Sequence, residues 1–355
     1  MGRVNRGVSA IDLFCGVGGL SHGLQQAGVK VVAGFDIDPR CKYPFETNID
    51  AAFLEQDVRT VTKDQLNRLW EPGSARLLAG CAPCQPFSPY RRGQDTSQEE
   101  QWSLLEEFGR LVQETLPDLV TMENVPRIVS STVFKAFVDT LKDSGYEVSF
   151  KSCYGPEYGL PQHRRRLVLI ASLHGLIKVP DGEYREDSFM TVRDVIFALP
   201  EIASGGADEA DPLHKSRSLS EINLHRIRAS RPGGTWRDWP EELRAPCHRR
   251  ASGATFKNVY ARMEWDKPAP TITTMAYNFG TGRFGHPEQD RAISLREAAI
   301  LQGFPPSYRF VKPGSPIEFT PIGRLIGNAV PPAIAAAVGK AILTRLNESE
   351  TQGAV

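Results

Sequence analysis

No apolar run in this 355-residue chain approaches the roughly 20 residues that crossing a bilayer requires. The opening residues, Met1 to Gly7, show no apolar signal core and no cleavage site, and they run straight into a strand-like segment. These absences predict a cytoplasmic protein without a membrane partner, in which the six cysteines stay reduced. Net charge is zero, which excludes an indiscriminate polycation but not a locally basic face. Only Cys81 and Cys84 stand close together among the cysteines (15, 41, 81, 84, 153 and 247). A structural zinc site needs a second pair or matched histidines at short spacing, so no metal is expected. Internal repeats, low-complexity tracts and a Walker phosphate loop are also missing, and ATP is therefore a poor fit.

What is present alternates. Strand-like stretches run over Ser9–Phe14, Val29–Phe35, a short segment before Gln56-Asp57-Val58, Ala75–Ala79, Asp118–Met122, Tyr146–Tyr154 and Arg166–Ser172. Helical periodicity separates several of them, at Leu20–Ala27 (stopped by Gly28), Ser103–Leu116 and Thr132–Ser144. This β-α rhythm predicts an α/β fold with a doubly wound, mostly parallel sheet and ligand sites beyond the carboxyl ends of its strands. From His174 to about Tyr260 the pattern dissolves into a segment rich in Gly, Pro and Ser. Its part from Lys215 to Arg262 holds eleven Lys and Arg against four Asp and Glu, interleaved with Trp236, Trp239, Phe256 and Tyr260. That composition suits either a loop-rich insertion with solvated charges or a face for nucleic acid, with cations for phosphates and longer side chains for base edges. Ala333 to Leu346 reads as a closing helix.

The stretch Gly80-Cys-Ala-Pro-Cys-Gln-Pro-Phe-Ser88 ends one strand with a proline-flanked cysteine, and a polar segment from Pro89 to Gln101 follows it. Cys84 there is either a thiol in a tight turn or a nucleophile beneath a loop able to close. Phe14-Cys-Gly-Val-Gly-Gly19 is a tight turn allowing close backbone approach to a ligand, although it lacks the dinucleotide spacing. Asp36 closes the second strand, where an acid can bind ribose hydroxyls, and Asp57 closes the third, within reach of an adenine amino group. Each acid taken singly reads equally as a cap or turn residue. Together, at successive strand ends, they favour an adenosine-containing cofactor. Glu123 lies one β-α step beyond Cys84, so adjacent strands would set a thiol and a carboxyl over one crevice. Such a pair suits attack on an electron-poor ring whose nitrogen is protonated as the bond forms. Gln162-His-Arg-Arg-Arg166 is expected to open a strand, with Gln162, Arg164 and Arg166 sharing one face.

In these motifs the chain resembles the DNA (cytosine-5) methyltransferases. The resemblance covers Ile11 to Gly339. It rests on Phe14-x-Gly-x-Gly-Gly19, Pro83-Cys-Gln-x-Phe-Ser88, Glu123-Asn-Val125, Gln162-x-Arg-x-Arg166, Arg262-x-x-Trp265, Pro270-Thr-Ile-Thr273, Arg296-Glu-Ala-Ala-x-Leu-Gln-Gly-Phe-Pro305 and Gly327-Asn-Ala-Val-Pro331. It implies a sheet of the S-adenosylmethionine-dependent methyltransferase type with a smaller, irregular target-recognition domain. It further implies a catalytic and cofactor-binding domain over 1–175 and 317–355, and a small domain over 176–316 that reads its target in about 176–260. On the same resemblance Cys84 adds to carbon 6 of a flipped-out cytosine in duplex DNA, Glu123 binds the ring at N3 and its amine, Arg166 holds O2, and Arg164 supports the closed loop and the phosphate. The implied cofactor, S-adenosylmethionine, would meet Phe14, Gly16, Gly18, Gly19, Asp36, Ile37, Asp57, Val58, Pro83, Leu104 and Asn328. A monomer of bacterial or phage type is expected, with a restriction endonuclease as functional partner. Asp36 departs from the family's frequent glutamate, and Cys81 inherits no role. Two rivals share features with this reading: a tRNA cytosine-5 methyltransferase on the same fold, and a thiol–disulfide oxidoreductase using Cys81-Ala-Pro-Cys84.

Overall fold

The structure, a computed structural model, describes residues 7–83, 103–250, 253, 256 and 258–352. Cys84 and the segment 85–101 lie outside the described residues. Two compact units are present: Met1–Tyr154 with Arg165–Glu183 and Val330–Val355, and Gly155–Arg164 with Tyr184–Ala329.

The first unit is built on a seven-stranded sheet. Its strands are β1 (Val8–Leu13), β2 (Lys30–Asp36), β3 (Ala52–Glu55), β4 (Ala75–Gly80), β5 (Leu119–Asn124), β6 (Glu147–Tyr154) and β7 (Arg165–Ser172), in spatial order β3-β2-β1-β4-β5-β7-β6. The five from β3 to β5 run parallel, whereas β7 is antiparallel to both β5 and β6. Every residue of β1 and β5 is buried, as strands covered on both faces must be. The chain leaves β1 toward β2 and β3, then returns to the other side of β1 as β4. The β1/β4 gap is thus the switch point at which open α/β sheets bind ligands. Helices α1 (Gly19–Gln26), α2 (Lys42–Asn48), α3 (Lys63–Leu69), α4 (Ser103–Thr115) and α5 (Thr132–Asp143) connect the strands. Phe108 of α4 and Phe137 of α5 pack 5.3 Å apart in the main core.

In the second unit, α6 (Val192–Ile196), α7 (Glu221–Arg228), α8 (Leu295–Leu301) and α9 (Phe319–Asn328) stand among loops and short 3-10 turns. The last helix, α10 (Pro332–Gln352), closes the first unit against α1. That approach requires glycine: a Cβ at Gly23 would lie 2.2 Å from the Pro332 carbonyl oxygen, and one at Gly19 2.2 Å from that of Val330.

Three expectations change. By length and hydropathy, Phe319–Glu348 would suffice to cross a membrane. It is nevertheless interrupted between α9 and α10, and 56% of its most apolar window is buried within the protein, as in a core helix. Trp236 and Trp239, interleaved with the cations of the segment that suits either a loop-rich insertion or a nucleic-acid face, are only 4% and 2% exposed and form a core with Ile227, Phe279 and Ala292. Their bulk and the indole hydrogen bonds to Phe256 O and Ser230 Oγ favour the interior. Nor do Gln162, Arg164 and Arg166 share a strand face. β7 begins at Arg165, where its pairing with β6 ends at Tyr154, so nothing upstream has a ladder partner. Gln162 instead bridges to Ala269 in the second unit, donating to Leu301 O and Gln302 Oε1 (2.8 Å each) and accepting from Ile272 N (2.9 Å).

Candidate active site

At the carboxyl end of β1 the chain must reverse into α1, and a Cβ built on Gly16 in this turn would meet nothing within 4 Å. Phe14, Gly16 and Gly18 take φ values of 59°, 52° and 89°. The two glycines adopt this left-handed geometry without penalty, whereas Phe14 does so under strain. Asp36, at the end of β2, fixes the turn: Oδ2 accepts the Gly16 N–H and Oδ1 the Asp38 N–H, both at 2.9 Å. Burial raises its pKa above the usual carboxylate value, and these hydrogen bonds pull against that rise. Beside it Ile37 is 65% exposed, a large apolar side chain left open at a strand end.

Asp57 behaves as a cap. It accepts the Arg59 N–H at 3.0 Å and pairs with the Arg59 guanidinium at 2.7 Å, whose hydrogen bond holds its pKa below the usual value. Val58 is a buried core residue. Pro83 is exposed just after β4, Leu104 is half-buried on α4, and Asn328 ends α9 in the second unit.

One acid escaped the sequence reading. Asp12, on β1, is 1% exposed and accepts the Ser21 hydroxyl at 2.6 Å on Oδ2, while no described residue hydrogen-bonds to Oδ1. Burial, reinforced by Asp36, pushes its pKa up to about 7. The signal was an acid inside the otherwise compact strand Val8-Ser-Ala-Ile-Asp-Leu13. An unpartnered buried oxygen, the Asp36 carboxylate, exposed Ile37 and open space over Gly16 make a set of acceptors and an apolar contact that fits a ligand with an amine, a ribose and an aromatic base.

On the other side of the switch point β4 and β5 lie in parallel register, with Gly80 opposite Met122. Glu123, one residue further on β5, is 5% exposed. Arg166 Nε approaches its Oε1 to 2.9 Å without aiming its N–H there, so Oε1 has a cation beside it and no hydrogen bond from a described residue. Cys81 Sγ lies 3.1 Å from Oε2. Asn124 Nδ2 donates to Ala82 O at 3.0 Å and anchors the chain two residues before Cys84. The site thus joins Glu123, Arg166 and the neglected Cys81, all in the first unit. Arg164 belongs to the second unit, 2% exposed, with its guanidinium donating to the carbonyls of Ile272 (3.0 Å) and Gly327 (3.1 Å).

Residues 8–344 match the model of the C-5 cytosine-specific DNA methylases. The chain belongs to this family. The methylase is 50% identical over 337 residues to the Type II methylase M.HgiDII of Herpetosiphon aurantiacus, covering 94% of each chain. It is 32% identical to the Type II methyltransferase M1.HphI of Haemophilus parahaemolyticus, over 96% of this chain and 87% of the relative. Among solved structures, a prophage-encoded DNA modification methyltransferase of E. coli superposes with a TM-score of 0.74 at 23% identity, covering 96% of the methylase and 99% of that chain. At that identity the superposition speaks for the fold alone, which is the α/β methyltransferase fold. The chain is therefore a DNA (cytosine-5)-methyltransferase, and the thiol–disulfide oxidoreductase alternative falls.

Proposed function

We propose that this methylase acts on carbon 5 of a cytosine turned out of a specific duplex DNA sequence, through a covalent bond between Cys84 and carbon 6. The observation that carries the reading is Glu123: a buried carboxyl on β5, one residue beyond the Met122 that pairs with the last residue of β4, with one oxygen charge-paired yet open to a hydrogen-bond donor. Cytosine presents a matching edge, an amine that donates and an N3 that takes a proton. Arg166, 2.9 Å from the same carboxyl, is the residue we assign to the ring O2. Cys84 thiolate adds to carbon 6 while N3 takes a proton from Glu123, and the ring electrons collect at carbon 5. S-adenosylmethionine, when bound, supplies the electrophilic methyl group. After methylation the carbon 5 proton leaves to solvent, the carbon 5–carbon 6 double bond re-forms as Cys84 departs as thiolate, and N3 returns its proton to Glu123. Extrusion of the base costs roughly a few kcal/mol, to be offset by contacts in this pocket.

Phe14, Gly16, Gly18, Gly19, Asp36, Ile37, Asp57, Val58, Pro83, Leu104 and Asn328 form the proposed cofactor set. Asp36 is its hydroxyl-binding acid, and Arg164 shapes the second unit's backbone rather than touching the base. Target reading is placed in about 176–260, and catalysis with cofactor binding in 1–175 and 317–355. The Type II names of the relatives support a restriction-modification role in a bacterial cytoplasm with a cognate endonuclease as functional partner; that the methylase acts as a monomer is part of the same proposal.

Incubation of the protein with S-adenosylmethionine and 5-fluorocytosine duplexes of varied sequence is expected to give a protein–DNA adduct that survives denaturation. Labelling of tRNA with no adduct on any duplex would overturn the DNA reading. Methylome sequencing of plasmid from an expressing host identifies the site. Asp36→Ala is expected to weaken S-adenosylmethionine binding about tenfold or more, through hydrogen bonds lost from a charged acceptor. Calorimetric titration checks this, and an unchanged Kd would remove Asp36 from the set. Glu123→Gln is expected to lower kcat about a hundredfold, within the range for loss of a general acid, with the cofactor Kd preserved.

A further inference from the structure

The mechanism above, on which this inference rests, gives Cys81 nothing to do, yet its sulfur lies 3.1 Å from Glu123 Oε2. The contact follows from topology. Cys81 N donates to Leu13 O at 3.3 Å, which continues the line of β4 by one residue and sets the side chain beside the end of β5. Burial, then the adjacent Glu123, pushes the thiol well above its ordinary value, so the group beside the carboxyl is a neutral S–H. Arg166 and Asp12 are the other charged groups that act on it.

The two oxygens of Glu123 therefore differ. Oε1 faces the Arg166 guanidinium, whose nitrogens can only donate hydrogen bonds. Oε2 faces a neutral thiol, which donates weakly and can also accept. We propose that Cys81 is a positioning residue for Glu123: it leaves Oε2 as the oxygen that carries the proton for cytosine N3, and its S–H then hydrogen-bonds the carboxylate formed when that proton has left. Cys81 neither gains nor loses a proton over the cycle. The proton moves from Oε2 to N3, while Oε1 accepts from the exocyclic amine.

The test compares Cys81→Ala, Cys81→Ser and wild type. Readouts are the rate of adduct formation on 5-fluorocytosine duplex, kcat, KM for DNA and calorimetric Kd for S-adenosylmethionine. Cys81→Ala is expected to lower kcat and the adduct rate about tenfold, the low end for a hydrogen bond to a charged group, with KM and Kd within about twofold. Cys81→Ser restores a donor and is expected to recover most of the loss. Equal adduct rates in all three proteins, or serine as impaired as alanine, would overturn the proposal. No adduct even in wild type would instead sink the proposed chemistry as a whole. Should Cys81→Ala fail to fold, the infrared S–H band of Cys81, assigned as the band lost in Cys81→Ser, decides. It is expected to shift in Glu123→Gln, and an unmoved band refutes the contact.

Discussion

Replacing Cys84 by serine is expected to reduce methyl transfer by about three orders of magnitude or more, the scale seen when a nucleophile is removed from a working constellation. The reason lies in the ring. Cytosine carbon 5 is a poor nucleophile until a group adds at carbon 6, and an alcohol without a dedicated base supplies far less anion than a thiol near neutral pH. Asp36, Asp12 and the glycine turn are untouched by this change, so calorimetric affinity for S-adenosylmethionine and the thermal midpoint are expected to stay at wild-type values. The decisive measurement is the 5-fluorocytosine adduct, analysed on a denaturing gel. Adduct formation by Cys84→Ser together with its loss in Cys81→Ser would transfer the nucleophile to Cys81. The surroundings of Cys81 argue against that outcome: its thiol is pushed up by burial and by Glu123, whereas a nucleophile needs thiolate.

The second large effect concerns stability. Glu297, on α8 and 1% exposed, receives Arg291 Nη1 and Nη2 at 2.7 Å each, and also accepts the Ser294 N–H. His286 Nε2 stands 3.7 Å away, and its Nδ1 accepts two backbone N–H groups from Glu288 and Gln289. Glu297→Gln leaves Arg291, itself fully buried, without its counter-charge and is expected to cost about 3–5 kcal/mol. Urea unfolding at neutral pH measures this, and a loss under about 1 kcal/mol would show that the pair is dispensable. The same cluster predicts acid sensitivity. Burial lowers His286 from 6.5 to about 4, so the unfolded chain binds a proton that the folded one refuses, and stability falls as pH drops from 6.5 toward 4. Arg291 overcomes the opposing effect of burial and holds Glu297 at about 2, so its contribution is present above 4.5 and is lost between 4.5 and 2. In Glu297→Gln the second of these losses should vanish.

Much of the first unit was legible because parallel strands buried on both faces leave compact apolar runs, and β1, β2, β4 and β5 match theirs within a residue or two. The acids at strand ends were visible for the same reason, since polarity resumes where the sheet stops. Asp57 illustrates the limit. Nothing in its spacing revealed that Arg59, two residues on, occupies its carboxylate. Trp236 and Trp239 left two readings open because aromatics among arginines look alike whether they face a base or a core; here Arg226 sits 5.7 Å from the Trp239 ring centre above a packed cluster. The alternation of Gln162-x-Arg-x-Arg166 suggested one strand, but alternation records side-chain direction only once a ladder partner exists, and β6 provides none before Arg165.

Residue order by itself determined the family and the carboxyl-end location of the acids, and it is the source of the proposal that Cys84 is the nucleophile and Glu123 its partner, because each is a matter of residue type at a short, fixed spacing. Tertiary structure alone decided that Arg164 and Arg166 fall in different units, that Asp12 is a buried acid with an open oxygen, and that Cys81 touches Glu123 across 42 residues of chain. The reason is geometric: a hydrogen bond between side chains depends on which strands are neighbours and in what register. The β4–β5 pairing that joins Cys81 to Glu123 is a property of the folded sheet, with no trace in either segment read separately.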